Sequence, residues 1–260
     1  MRPLSSSDII GLWERGEALH PLDRALGLLR AALPESSYEN LASLGIGRRD
    51  ALLLELRERT FGKKLRAYCE CPHCRNALEM SLNVADMRTA DSRAETDEFK
   101  ISATDKFEMS TTEEFEMKTM GTDIRFRLPN SLDLAATLDC EDRDAAYREL
   151  LGRCILEARS NGHPVSLEEL PDDALQEIAD GMGECDPQAE VLLNLNCPDC
   201  RAPFQTPFDI VHFFWIELSV HAKRLLEEIH LLARHYGWSE SSILTMSARR
   251  RQHYLDLIGT

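Results

Sequence analysis

Two short stretches of the sequence repeat each other: "CPHCRNALEMSLNV" at 71–84 and "CPDCRAPFQTPFDI" at 197–210. Both follow the pattern C-P-x-C-R-x-x-Φ-x-x-x-Φ-x-Φ, in which Φ is an apolar residue. Apolar residues alternate along the chain on both sides of each cysteine pair, and a period of two predicts β-strands. We therefore expect two β-hairpins, each with a Cys-Pro-x-Cys turn at its tip.

The cysteines of these two turns match the ligand set of one tetrahedral zinc ion. A single C-x-x-C turn provides two thiolates and leaves a zinc ion half coordinated. Two such turns provide four, so the sequence predicts one shared site made of Cys71, Cys74, Cys197 and Cys200. Four thiolates close the coordination shell, so we expect a structural zinc rather than a catalytic one.

Two other interpretations of the cysteine pairs stay open. The four residues could be free buried thiols, or each pair could be a redox dithiol, although a dithiol requires a thioredoxin-like frame that surrounds neither motif. Cys69 alternates with apolar neighbours, which favours packing over metal binding. The remaining cysteines, Cys140, Cys154 and Cys185, lack metal-ligand spacing and are expected to be thiols.

The composition restricts the classes of function. The chain of 260 residues has a formal charge of −15 and a pI near 5.0. Such a charge disfavours binding to nucleic acids and to anionic membranes. No signal peptide is expected, and the most apolar run, at 210–220, is too short to span a membrane. We expect a cytoplasmic protein, in which cysteines serve as thiols or metal ligands.

The remaining patterns predict an α+β fold that is mainly helical. Helices are expected at 20–33, 47–60, 141–158, 171–182 and 207–236. In the acidic stretch 85–121, "FKIS" at 99, "FEMS" at 107 and "FEMK" at 115 indicate short strands or a linker.

These patterns divide the chain into six expected regions, which zinc is expected to tie into one compact unit. The regions are a helical N-terminal region (1–64), a first zinc-knuckle hairpin (65–84), an acidic insertion with short strands (85–128), a helical middle region (129–189), a second zinc-knuckle hairpin (190–210), and a long helix with short C-terminal helices (211–260).

No pattern of an enzyme active site is present. The sequence contains no nucleophile-elbow, P-loop or H-E-x-x-H motif. Glu227 and His230 form a single E-x-x-H pair, whereas a di-iron site requires two such pairs and further carboxylates. We therefore expect a binding or structural protein without enzymatic activity.

Four longer runs carry a resemblance to a known family, beyond the cysteine motifs within two of them. The runs are "GRRDALLLELRERTFGKKLRAYCECPHC", "IRFRLPNSLDLAA", "LNCPDCRAPFQTPFDIVHFFWIEL" and "LARHYGWSESSILTMSARRRQHYLDLI". With these runs, the chain resembles the broad group named after the baseplate hub assembly chaperones of T-even phages. The resemblance implies a role in assembling a baseplate hub, in a contractile phage tail or an extracellular contractile injection system, with hub or baseplate proteins as partners. Chaperones of this group need not carry the zinc knuckles.

The C-terminal segment offers a candidate surface for such a partner. Basic and aromatic residues lie close together there, and they suit an acidic, partly apolar partner. The same residues could instead fill the protein's own core or neutralise its own acids. The candidate residues are Trp238, Arg249, Arg250, Arg251 and Tyr254.

A zinc-ribbon protein that binds nucleic acid or regulates transcription is the alternative function. This alternative requires a basic face beside the knuckles. Arginines do lie there, but nearby acidic residues cancel their charge. The arginines are Arg66, Arg75, Arg88 and Arg201, and the acids are Glu70, Glu79, Asp86, Asp199 and Asp209.

Overall fold

The computed structural model of the protein describes residues 1–88 and 113–259. Its N-terminal helices begin and end at residues suited to those positions. In the first helix, the Ser5 hydroxyl accepts the Asp8 N–H while the Asp8 carboxylate accepts the Ser5 N–H, which forms a capping box. Gly62, with φ of 94°, ends the last of them. These helices are α1 (Ser6–Gly16), α2 (Pro21–Ala32), α3 (Tyr38–Ala42) and α4 (Ile46–Phe61).

The longest helix of the described chain, α8 (Ile210–Tyr236), organises the first hydrophobic core. Its N–H groups are capped by Asp209, and Gly237 closes it in the left-handed conformation. Helices α1, α2 and α4 pack against it, as do the C-terminal helices α9 (Glu240–Leu244) and α10 (Ala248–Ile258). We call these packed helices the helical core. Its buried stripe along α8 includes Val211, Phe214, Trp215, Leu218, Ala222, Leu225, Ile229 and Leu232.

Two contacts fix the position of α8 in the helical core. A methyl group added at Gly16 would lie 2.2 Å from the Trp215 ring, so the close approach of α1 and α8 requires glycine. The buried Arg57 guanidinium donates to Glu217 at 2.6 and 2.8 Å and to the carbonyls of Gly62 and Lys64. This arginine therefore ties α4 and its C-terminal turn to α8.

A second hydrophobic core is formed by residues that lie, in the sequence, between the two predicted hairpins. It contains an antiparallel sheet in the order β3 (Glu114–Thr119), β4 (Thr122–Arg127), β5 (Ile155–Ser160) and β6 (His163–Pro164). Helices α5 (Ser131–Ala136), α6 (Arg143–Cys154) and α7 (Asp172–Cys185) accompany it. The core is formed by Phe115, Ile124, Phe126, Leu151, Cys154, Ala158, Leu170, Leu175, Ile178 and Met182.

Negative charge is concentrated in this second region. Residues 113–190 contain 20 acidic and 7 basic residues, a formal charge of −13 out of −15 for the whole chain. In the rest of the chain, acidic and basic residues are therefore nearly equal in number. We call residues 113–190 the acidic unit.

The structure confirms several predicted elements and corrects one. Strand β3 covers the repeat at 115, and β3 and β4 both lie in the region 85–128 that was expected to contain short strands; α7 and α8 match two predicted helices. The segment 141–158 was expected to be one helix, but α6 ends at Cys154 and β5 follows directly. Pairing with β4 draws this segment into the sheet, where tertiary contacts override helix propensity. The repeats at 99 and 107 lie outside the described residues.

The acidic unit meets the helical core near the start of α4. Ile46 N–H donates to the Pro129 carbonyl at 3.0 Å, and Gly47 N–H donates to Asp186 at 2.8 Å. A methyl group at Gly47 would overlap the Asp186 carboxylate, so glycine is required at this contact. Among the described residues, no helix has the length and apolar composition needed to cross a membrane.

Candidate metal centre

The two cysteine turns lie at the tips of two separate antiparallel hairpins. The first pairs β1 (Lys64–Glu70) with β2 (Ala77–Asn83), and the second pairs β7 (Val191–Asn196) with β8 (Pro203–Phe208). These hairpins occur where the alternating sequence predicted them. The first follows α4 and the second leads into α8, so both are anchored to the helical core.

The turns share one backbone conformation as well as one sequence pattern. Cys71 N–H donates to the Asn76 carbonyl at 2.9 Å, and Cys197 N–H donates to the Ala202 carbonyl at 3.1 Å. The arginine after each second cysteine donates its N–H to the carbonyl of the first cysteine, at 2.8 and 2.9 Å. The repeated motif therefore builds the same turn twice.

Each turn contains an arginine in the left-handed conformation. Arg75 has φ of 61° and Arg201 has φ of 60°. Glycine adopts this conformation without the steric penalty that a side chain incurs. Both arginines follow the second cysteine of the repeated motif, but the motif did not predict their left-handed backbone conformation.

The four sulfur atoms face one another across the two hairpins. Cys71 Sγ lies 3.7 Å from Cys200 Sγ, and Cys74 Sγ lies 3.6 Å from Cys197 Sγ. All four lie within 4.8 Å of one another. Zn–S bonds of about 2.3 Å in a tetrahedron place sulfurs about 3.8 Å apart, so the donor set fits zinc. The separations are too long for disulfide bonds of about 2.05 Å.

The pairing of the sulfurs has approximate two-fold character. The first cysteine of each turn lies beside the second cysteine of the other turn. The side-chain amide of Asn76 also donates to the Asp199 carboxylate at 2.9 Å, which links the turns next to the sulfurs. The structure thus brings together all four cysteines that the sequence predicted as ligands.

The cluster lies on a small apolar base and opens to solvent on one side. Cys71 and Cys197 are buried with Leu78, and Met80 and Phe204 pack against them. Cys74 is half-buried and Cys200 is exposed. Such a site shields two sulfurs from solvent while leaving the tips of the turns accessible.

The electrostatics of the cluster favour a bound cation. Burial opposes ionisation of Cys71, but backbone amides of its own turn donate to the sulfur and lower its pKa to about 6. An amide also favours the Cys74 thiolate, yet burial and the neighbouring sulfurs prevail and raise its pKa to about 12. The Cys71 thiolate therefore forms readily, whereas the Cys74 thiolate needs a positive charge beside it.

The other cysteines lie apart from this cluster. Cys69 packs against it without joining the four sulfurs, and burial is the main cause that raises the pKa of its thiol. Cys154 and Cys185 pack in the core of the acidic unit, where burial raises the pKa of each thiol to about 12. These thiols are therefore protonated at neutral pH.

The C-terminal residues expected at a partner surface occupy different environments. Arg251 is buried, and its guanidinium donates to Glu228 at 3.0 Å and to the Met246 carbonyl at 2.8 Å. The expectation of a surface position is wrong for this residue, because its charge is used to fix α10 on α8. Arg249 and Arg250 remain exposed.

The two aromatic residues of that set pack within the molecule. Trp238 stacks on Tyr236 with ring centroids 4.5 Å apart, and Tyr254 meets the Trp238 ring edge-to-face at 4.8 Å. Both Trp238 and Tyr254 are only partly buried. The C-terminal helices are thus held to α8 by an aromatic cluster as well as by Arg251.

Comparison of the sequence with known proteins identifies the family of the chain. A family model described as T4 bacteriophage base plate protein matches residues 32–215. The chain belongs to this baseplate family. Both cysteine turns lie inside the matched segment, as does the whole acidic unit. No curated protein and no solved structure matches the chain.

Membership of the baseplate family agrees with the resemblance read from the sequence. The matched range begins at the last residue of α2 and ends within α8, so α1, α9 and α10 lie outside it. The family supports a role related to a phage baseplate. It implies association with other baseplate proteins.

Proposed function

We propose that this protein is a zinc-stabilised, non-enzymatic protein of a phage-type baseplate. It assists hub assembly or forms part of the hub, in a contractile phage tail or an extracellular contractile injection system. The observation that carries the proposal is the convergence of four cysteine sulfurs from two matched turns within the baseplate-family segment. Within residues 1–88 and 113–259, these cysteines are the one group of metal-ligating side chains brought close together.

Zinc would hold the two hairpins through Cys71, Cys74, Cys197 and Cys200. A four-thiolate shell leaves no position for a substrate or an activated water, which supports a structural role. The cysteine pairs are separated by 123 positions between Cys74 and Cys197. A metal that closes so long a loop restricts the unfolded chain and stabilises the fold.

Elemental analysis of the purified protein tests the metal assignment. We expect about one zinc ion per chain, because one tetrahedral site binds one ion. Cys197→Ser should lose the zinc, whereas Cys140→Ser, which removes a cysteine outside the cluster, should retain it. Protein without zinc, or equal zinc content in both variants, would contradict the assignment.

Assembly of particles tests the baseplate role itself. In cells that produce the complete tail-like particle, deletion of the gene should abolish particles with intact baseplates. The wild-type gene should restore them in trans. Normal particles from the deletion strain would exclude an essential role in the hub.

The exposed arginines of α10 offer one contact for a baseplate partner. Arg249 and Arg250 remain at the surface beside the partly exposed Tyr254, and Arg250 lies over its ring at 5.8 Å. These groups suit an acidic partner with some apolar surface. The variant Arg249→Glu with Arg250→Glu should assemble poorly, whereas a reversal at the exposed Arg143 in the acidic unit should not.

Nucleic-acid binding is the alternative that a zinc site also allows. Basic and acidic side chains alternate around the turns, and Asp199 lies directly between Cys197 and Cys200. We expect no measurable binding to duplex DNA at physiological salt, because the chain carries a charge of −15. A sub-micromolar, salt-sensitive affinity would favour a zinc-ribbon regulator instead.

A further inference from the structure

Strand β5 in the acidic unit has an edge that its neighbour covers only in part. Strand β6 pairs with Arg159 and Ser160, and Val165 N–H donates to the Ala158 carbonyl at 3.0 Å. Within the described part of the chain, no strand lies on this side of residues 155–157. Backbone groups at an open strand edge can pair with another chain.

A β-bulge lies in the same part of β5. The pairing with β4 passes from Arg125 opposite Glu157 to Phe126 opposite Ile155. Leu156 is therefore the extra residue, and its side chain is 42% exposed. Bulges re-aim side chains and often lie beside binding sites.

An apolar groove adjoins this open edge. It has a volume of about 340 Å³ and is lined by Ile155, Leu156, Val165, Leu167 and Leu170. A groove of this size can hold one large apolar side chain. The exposed Leu156, the groove and the open strand edge thus form one continuous surface, which we call the β5 edge.

The charge around the β5 edge is negative. It belongs to the acidic unit, with its formal charge of −13. Glu157 is paired with Arg125 and Arg159, whereas Glu168 and Glu169 are exposed in the short helix Leu167–Glu169, so three acids face two arginines at the edge itself. The surrounding field therefore attracts positive charge.

We propose that the β5 edge binds an extended, basic segment of a partner protein. The segment adds a strand beside residues 155–157 and places one apolar side chain in the groove. Main-chain hydrogen bonds provide affinity in this mode of recognition, and alternate side chains provide specificity. Basic residues between the apolar ones complement the acidic unit, which makes the interaction sensitive to salt.

A synthetic peptide tests this proposal without knowledge of the natural partner. The probe is a fluorescent peptide of about eight residues that alternates valine and lysine, titrated with the full chain and followed by anisotropy. We expect it to bind, and to bind more weakly as salt is added. A valine–glutamate peptide, and a valine–lysine peptide with a central proline, should not bind, because the first is repelled and the second lacks a backbone donor.

A pair of variants locates the binding site. Leu156→Lys removes the apolar contact and adds a repelling charge, so it should weaken binding of the basic peptide about tenfold. Leu138→Lys adds the same charge to another exposed leucine of the acidic unit, outside the groove, and should change binding by less than about twofold. Both variants should melt as the wild type does, because both leucines are exposed.

Three results would overturn the proposal. The first is a failure of the basic peptide to bind at low salt. The second is equal binding of the proline-containing peptide, which would show charge attraction without strand addition. The third is equal weakening by the two leucine substitutions, which would place the peptide elsewhere on the acidic unit.

Discussion

The helical core and the acidic unit use their charged side chains differently. In the helical core, the buried arginines Arg57 and Arg251 form ion pairs with Glu217 and Glu228 of α8. In the acidic unit, 20 acidic residues face only 7 basic ones, so most carboxylates have no cation of their own. Both regions use buried ion pairs to hold their elements in place, since Asp133 of the acidic unit is buried against Arg127 and Arg153. Only the acidic unit also retains a large excess of negative charge, which attracts cations from outside.

Removal of the metal should produce the largest difference in stability between the helical core and the acidic unit. We expect a strong chelator to lower the stability of the helical core by several kcal/mol, since structural zinc sites contribute on that scale. The acidic unit has its own hydrophobic core and should change little. Calorimetry with and without the chelator measures both. Identical melting under the two conditions would show that no metal stabilises the fold.

Cavity-forming substitutions test whether the two cores unfold independently. Phe214 in α8 and Phe126 in β4 are both fully buried. Replacement of either by alanine should cost about 3–5 kcal/mol. We expect Phe214→Ala to shift the transition of the helical core and Phe126→Ala that of the acidic unit. If each variant shifts both transitions equally, the molecule unfolds as a single cooperative unit.

The buried ion pair of the helical core should be the next largest contributor. Arg57→Met leaves Glu217 and the carbonyls of Gly62 and Lys64 without their donor, so it should cost about 3 kcal/mol. Arg59→Met on the same helix removes an exposed pair with Glu55 and should cost less than about 1 kcal/mol. Chemical denaturation measures both. Similar losses would mean that burial of Arg57 does not strengthen its pair.

The smallest expected effect lies at the exposed N-terminus of the helical core. Hydrogen bonding to Arg2 is the main cause that lowers the pKa of Asp8 to about 2, below its usual 3.8. The ionised carboxylate therefore stabilises the fold above about pH 4, and this contribution is lost as the pH falls through 2. Asp8→Asn should cost about 1 kcal/mol at pH 7.

Denaturation at several pH values checks the Asp8 prediction. The difference between Asp8→Asn and the wild type should shrink toward zero as the pH falls below about 2, because the wild-type carboxylate is then mostly protonated. Glu14→Gln is a suitable control in the same helix. A difference that stays constant with pH would assign the effect to the shape of the cap rather than to its charge.

The cysteine turns were predictable because their signal is local. Each motif combines fixed spacing with strand periodicity, and the hairpins lie where that pattern placed them. The sequence also predicted that the two turns meet, because one pair of thiolates leaves a tetrahedral zinc ion half coordinated and a second pair completes its shell. The left-handed arginines Arg75 and Arg201 could not be read in the same way, because arginine carries no preference for that backbone region.

The acidic unit was predicted less completely because its signals are not local. The residues at 155–158, Ile-Leu-Glu-Ala, suit a helix as well as they suit a strand. They form β5 because β4, about thirty positions earlier, pairs with them. Likewise, the inward position of Arg251 depends on Glu228 of another helix. Sequence periodicity within one element contains no information on either partner.

The cysteine cluster also has a consequence for the connectivity of the chain. Cys74 Sγ and Cys197 Sγ lie 3.6 Å apart, although 123 positions separate the two residues. With zinc bound, the intervening polypeptide becomes a closed loop. A protease that cuts one peptide bond anywhere in that loop would produce two fragments that stay together, each holding two of the four ligands. Extraction of the ion would then remove one link between the fragments and leave the packing of α1, α2 and α4 against α8.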